Sequence, residues 1–173
     1  MNWLLLWAHL VALAVWLGET VFFGVVVAPA LFGGLEREQA GAVTALIFPG
    51  YYTVGYVCGV VLVLTAIALR QRSRPGGGLW LAAAAVAAVM LAACLFAGLV
   101  VLPDADALRP RLHDPTAPAS VREQFDALHG LAVQLNGAVL IGGLVLAGLI
   151  AARLSAGLAP RRRLSRYSSD PLL

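Results

Sequence analysis

Four long apolar runs, at roughly residues 3–28, 50–69, 79–102 and 129–152, leave this chain few ways to fold. A helix needs about 20 apolar residues to cross a hydrocarbon core of ~30 Å, and each run is at least that long. The runs lack the alternation of barrel strands. The first has no basic leader segment and extends too far for a signal peptide. Of the 173 residues 61% are hydrophobic and only 12% charged, against about 25% charged in soluble domains. Such a chain cannot cover its surface with polar groups. The expected class is all-α: a polytopic membrane protein, a four-transmembrane-helix bundle over residues 1–153, with a basic tail over 154–173.

Arginine sets the expected orientation. All 12 basic residues are Arg. Arg70, Arg72 and Arg74 stand without an acid between runs two and three, and Arg153, Arg161, Arg162, Arg163 and Arg166 face only Asp170 in the tail. The other two connections are balanced or acidic. The positive-inside rule places both termini and the 70–78 connection in the cytoplasm of a multi-pass protein of the cell membrane. The net charge of +3 is explained by this anchoring and by anionic lipid headgroups, and points to no nucleic acid. Ser165 and Ser168 beside the tail arginines are positions where phosphorylation would alter that contact.

In the first outer connection, Val43, Leu46, Ile47 and Phe48 recur at helical spacing. They predict a short interfacial helix stopped by Pro49, with Tyr51 and Tyr52 as an aromatic belt. In the second, Pro103, Pro110, Pro115 and Pro118 predict a loop. Ser120, with Glu123 three residues on, is expected to cap the helix that becomes span four.

The stretches WLGETVFFGVVVAPALFGGLEREQAGAVTALIFPGYY and FDALHGLAVQLNGAVLI resemble the DUF4149, or TMEM205-like, family of small four-span membrane proteins. Trp16, Gly18, Pro29, Phe32, Gln39, Phe48, Pro49, Tyr51, Leu128, His129, Gly130 and Asn136 carry the likeness, which covers about residues 7–152. It implies the fold and topology and brings no activity. His9, Trp16 and Gly18 are similar in spacing to the CopD/HemJ-like membrane proteins associated with copper or haem.

Depth counted at ~1.5 Å per residue puts Glu19, Cys58, Cys94 and Asn136 at one level in the outer half. They are the ligand-binding candidates, with His129 above them on the same helical face as Asn136. Glu19, Cys58 and Cys94 are the metal candidates, since thiols suit a soft ion. The plain alternatives are a carboxyl bonded to Asn136 or a tyrosine and cysteines packed as small hydrophobes. His9 lies toward the cytoplasm, as an interfacial side chain or a weak cofactor ligand, too far in height from His129 for one haem iron to join both. The cofactor is unknown, with none more expected than haem or copper.

Nucleotide, hydrolase and zinc motifs are absent, so an enzyme is not the expected class. Two readings stand: a binder or carrier of a small ligand (metal ion, haem, quinone or lipid), or a structural membrane protein whose partner is another membrane protein or a second copy. A haem- or copper-associated redox protein is a third. Topology is testable directly. Ser120→Cys is expected to react with an impermeant maleimide on intact cells and Ser73→Cys only after lysis; external labelling at position 73 would invert the assignment.

Overall fold

The computed structural model describes residues 2–73, 78–112, 114 and 116–158; Arg74, the serines and arginines of the tail beyond Leu158, and Asp170 lie outside them. The chain forms four long helical rods. Span one comprises α1 (Asn2–Phe22), a π turn (Phe23–Val27) and α2 (Ala28–Gly34). Span two is α3 (Arg37–Arg72). Span three comprises α4 (Gly78–Phe96), a second π turn (Ala97–Val101) and α5 (Leu102–Leu112). Span four is α6 (Ala119–Leu158). The protein is a multi-pass membrane protein: the apolar rods run 32, 36, 35 and 37 residues, about 48–56 Å at ~1.5 Å per residue. All outreach a ~30 Å hydrocarbon core. The end carrying residues 3, 72, 78 and 155 is called the terminal end here, and the opposite end distal.

The expected interfacial helix is helical but not separate. Residues 37–49 continue without a break into span two, and Pro49 lies inside α3. Its buried face is Ala40 and Thr44, while Leu46 is 83% exposed. The predicted loop is corrected as well. Pro103 and Pro110 sit within helix α5, and the described residues between Leu112 and Ala119 (114 and 116–118) are non-helical, while Pro115 lies outside the described residues. Ser120 is not a cap: α6 begins at Ala119, and the Val121 N–H meets the Pro118 carbonyl at 3.0 Å. In the turn, the Thr116 hydroxyl and N–H both donate to Asp114 Oδ1 at 2.6 and 2.8 Å, which holds that carboxyl below its usual range.

Proline explains the π turns. Pro29 and Pro103 lack an N–H, and each ring crowds the carbonyl four residues back. One extra residue per turn relieves both problems. The Ala28 N–H reaches the Phe23 carbonyl and the Leu102 N–H reaches that of Ala97, each five residues back. Arg109 then fastens the distal ends together. Its Nε donates to Asp106 at 2.7 Å, its Nη1 to the Gly41 carbonyl of α3 at 3.0 Å, and its guanidinium lies 5.7 Å from the Phe125 ring centre on α6.

Each rod packs on its two neighbours in chain order, and span four closes the ring on span one. The two halves repeat. Gly-Val-Val-Val-Ala-Pro at 24–29 matches Gly-Leu-Val-Val-Leu-Pro at 98–103, and in that register the buried positions His9, Leu13, Trp16 and Thr20 match the buried Ala83, Ala87, Met90 and Cys94. Spans two and four agree likewise: Gly55, Gly59, Leu62 and Ala66 against Val139, Gly143, Leu146 and Ile150, all buried.

The glycines of the two π turns differ in surroundings. A Cβ on Gly98 would stand 2.8 Å from Tyr52 Cγ, whereas one on Gly24 would meet nothing within 4 Å. Gly98→Ala should therefore lower stability by about 1–3 kcal/mol through overpacking. Gly24→Ala should stay within about 0.5 kcal/mol of the parent. Thermal unfolding in detergent reads both.

Candidate functional site

The distal half of the bundle is filled by aromatic rings tied to one carboxamide. Phe23 lies 5.2 Å from Phe48 and 5.4 Å from Tyr51, ring centre to ring centre, and Tyr51 meets Tyr52 edge-on at 5.3 Å. Tilted and edge-on pairs of this kind suit the ring quadrupole. Tyr52 and Tyr56 stack, and both press on Gly98 of span three.

Asn136 of span four reaches into this cluster. Its Nδ2 donates to the Ala132 carbonyl at 2.9 Å and to the Tyr52 hydroxyl at 3.2 Å. The Tyr51 hydroxyl donates to its Oδ1 at 3.1 Å and lies 3.5 Å from Thr20 Oγ1. Thr20 spends its own proton on the Trp16 carbonyl at 2.9 Å. Because the backbone carbonyl must face an amide N–H, the orientation of the carboxamide is fixed by its partners. The network joins spans one, two and four, and Gly98 brings span three against it.

Glu19 stands beside this network and is not bonded to Asn136, whose two amide protons are already used. It is half-buried. Its Oε2 is shut off from solvent and has no hydrogen-bond partner among the described residues. The carboxyl lies close enough to act electrostatically on Tyr51, Cys58 and Cys94. Cys58 and Cys94 are buried free thiols. A Cβ on Gly55 would stand 2.6 Å from Cys94 Sγ, so a glycine makes the room for that sulfur. Cys58 and Cys94 thus lie within electrostatic reach of Glu19, and Tyr51 stands between it and Asn136 in the chain of interactions. Among the described residues no three His, Cys, Asp or Glu side chains are grouped to hold a metal ion. His129 is exposed on the distal stretch of α6 and stands apart from the network.

His9 is the clear correction. It is not interfacial but fully buried, with Nδ1 2.7 Å from Thr65 Oγ1. The Thr65 hydroxyl has one proton and gives it to the backbone, to Val61 at 2.6 Å with Leu62 at 3.2 Å. His9 Nδ1 is therefore the donor. Its Nε2 has no hydrogen-bond partner among the described residues, and the ring meets Trp80 edge-on at 5.6 Å. Ten residues along α1 from Glu19, about 15 Å, His9 belongs to a separate polar spot in the terminal half.

Depth counting singled out Glu19 and Asn136 but missed the residues between them. Thr20, Tyr51 and Tyr52 carry the network, and their signal was available: two adjacent tyrosines at the entry to span two have hydroxyls that must find partners once buried.

The family model described as a domain of unknown function, DUF4149, matches residues 11–113, which include Glu19, Thr20, Tyr51, Tyr52, Cys58 and Cys94. A protein of Aquifex aeolicus (strain VF5), described as an uncharacterized protein, is 33% identical over 132 residues, covering 76% of this chain and 86% of its own length. No solved structure matches.

If Asn136 is the knot between spans, its removal should cost stability. Asn136→Ala is expected to lose about 1–2 kcal/mol. Tyr51→Phe combined with it should cost less than the sum of the two single changes, because both delete the same bond. Chemical unfolding in detergent provides the cycle, and additive costs would show that the bond is energetically idle.

Proposed function

The chain belongs to the DUF4149 family, whose description assigns no reaction, and we propose a function from the site itself: reversible binding of a small cation, a proton or a monovalent ion, at the Glu19 carboxyl. The supporting observation is the buried Oε2 of Glu19 without a donor. A carboxyl oxygen withdrawn from water and left without a hydrogen bond is costly, and a cation or a proton removes that cost. The neighbouring groups (the Tyr51 hydroxyl and the thiols of Cys58 and Cys94) are neutral and can turn lone pairs toward a guest. With one charged oxygen ligand and no cluster of three ligating side chains among the described residues, the site suits an exchangeable ion better than a resident metal.

The arginine asymmetry supports a cell-membrane orientation with the termini in the cytoplasm. The Glu19 level then lies near the middle of span one, whose distal end is outside. The reading is of a binding or carrier protein, not an enzyme. Asn136 and the tyrosines favour a second reading in one respect, since their bonds run from helix to helix and fasten the bundle whatever Glu19 does.

Glu19→Gln separates the two. Gln keeps the shape and removes only the charge and the titrating proton. The variant should fold with parental yield and unfolding temperature. In infrared difference spectra, the parent should show a carboxyl carbonyl band that responds to pH or to added sodium, potassium or thallium ions, and the variant should lack it. Parental spectra and parental complementation of a deletion strain by Glu19→Gln would overturn ion binding and leave the carboxyl as helix packing.

A further inference from the structure

The two halves of the chain repeat, and the place where they fail to match is informative. In span three, Gly98 of the π turn is covered by two phenol rings, Tyr52 and Tyr56 of span two. In the register of the repeat, the counterparts of Tyr52 and Tyr56 on span four are Asn136 and Leu140, and the counterpart of Gly98 is Gly24. Beyond its own turn of helix, no atom of the described residues lies within 4 Å of where a Gly24 Cβ would stand. The π turn of span three packs against both α3 and α6, whereas that of span one does not pack comparably against α6. One seam is filled by rings and its counterpart is open.

The open seam can be located. Leu17 of span one packs on span four, its Cδ1 3.0 Å from where a Gly143 Cβ would stand. Gly24 lies seven residues after Leu17, and Asn136 seven before Gly143. On antiparallel rods both steps lead about two turns, ~10 Å, toward the distal end along the same helical faces. The seam is closed at Leu17 and Gly143, and two turns farther along it Gly24 is exposed and uncovered. Val21 and Val133, on the same two rods, are exposed, so the gap opens sideways to the bilayer.

The hydrogen-bonding capacity left at Asn136 narrows the occupant. Both of its N–H groups are engaged, by Tyr52 and Ala132, while Oδ1 accepts one bond, from Tyr51. A carboxamide oxygen has two lone pairs. The side chain can accept one more hydrogen bond and can donate none.

We infer that the distal seam between spans one and four is a lateral site for a hydroxyl-bearing aromatic ring on an apolar tail, a lipid-soluble phenol or quinol. The ring covers Gly24 as Tyr52 and Tyr56 cover Gly98, and its hydroxyl donates to Asn136 Oδ1. A quinone, with carbonyls alone, lacks the donor that this acceptor requires. The inference does not rest on ion binding at Glu19, and Glu19→Gln should leave it unchanged.

The test uses the full chain in nanodiscs and 4-heptylphenol carrying a diazirine in its tail, with the same probe lacking the hydroxyl as comparison. On irradiation the phenol should label residues 20–28 and 133–140, competed by unmodified 4-heptylphenol. Its apparent affinity should exceed that of the hydroxyl-free probe about tenfold, the worth of one buried hydrogen bond. Gly24→Leu, which grows into open space and should unfold at the parental temperature, should abolish labelling by filling the cradle. Equal labelling by the two probes would mean an ordinary lipid groove and overturn the inference. So would unchanged labelling of Gly24→Leu, or concentration-dependent crosslinking of two Gly24→Cys chains, which would make the seam a contact between copies.

Discussion

A proline in a membrane helix takes a donor away from a carbonyl that has no water to turn to. The rest of this structure depends on how that is resolved. Pro29 and Pro103 would each break a rod at the edge of the bilayer. Instead a π turn precedes each, and the backbone donor one residue before each proline reaches five residues back. The rods stay continuous and carry their helices well past the hydrocarbon. There Arg109 can bind Asp106, Gly41 and the Phe125 ring in one place. The widened turns also reset the helical register, and with Gly98 at one of them span two can bring Tyr52 and Tyr56 in close.

The polar groups inside the bundle follow the same economy. Thr20, Thr44 and Thr65 each return a hydroxyl proton to a carbonyl four residues back, so each is satisfied as a donor and left as an acceptor. That is why His9 must donate to Thr65 and why the Tyr51 hydroxyl turns toward Asn136 with Thr20 close behind. Asn136 is the one residue of the distal network that both donates and accepts between helices. Bonds of this kind are modest individually, ~0.6–2 kcal/mol. Their geometric effect is larger, because one side chain fixes the tyrosines that fill the bundle.

The four spans were legible because hydrocarbon imposes one requirement along twenty consecutive residues, and apolar runs state it without ambiguity. The loop expected around Pro103 and Pro110 was wrong for a physical reason: proline was read as a helix breaker, a rule that assumes the freed carbonyl is better served outside the helix. His9 is expected at an interface on depth alone, about 15 Å below Glu19 at ~1.5 Å per residue. Depth says nothing of which face a residue occupies, and the buried face of α1 runs through His9, Leu13, Trp16 and Thr20. The same gap separates Glu19 from Asn136, whose carboxamide is held by Tyr51 instead. The internal repeat was written in Gly-x-Val-Val-x-Pro and becomes visible once the halves are laid over each other.

That repeat also bears on Glu19. In the register that pairs Trp16 with Met90 and Thr20 with Cys94, the counterpart of Glu19 is Ala93. Span three occupies the same place in its half of the bundle as span one does in the other. It is built with the same π turn and the same buried spacing, and at this position it needs only a methyl group. The polar residues are not shared evenly: His9, Glu19 and Thr20 face Ala83, Ala93 and Cys94 in the matched half. Helix packing at the site can therefore be met by small apolar residues, as the second half shows. A carboxyl with one oxygen buried and unbonded is more than that packing requires, and its cost falls on the half that also carries the uncovered Gly24.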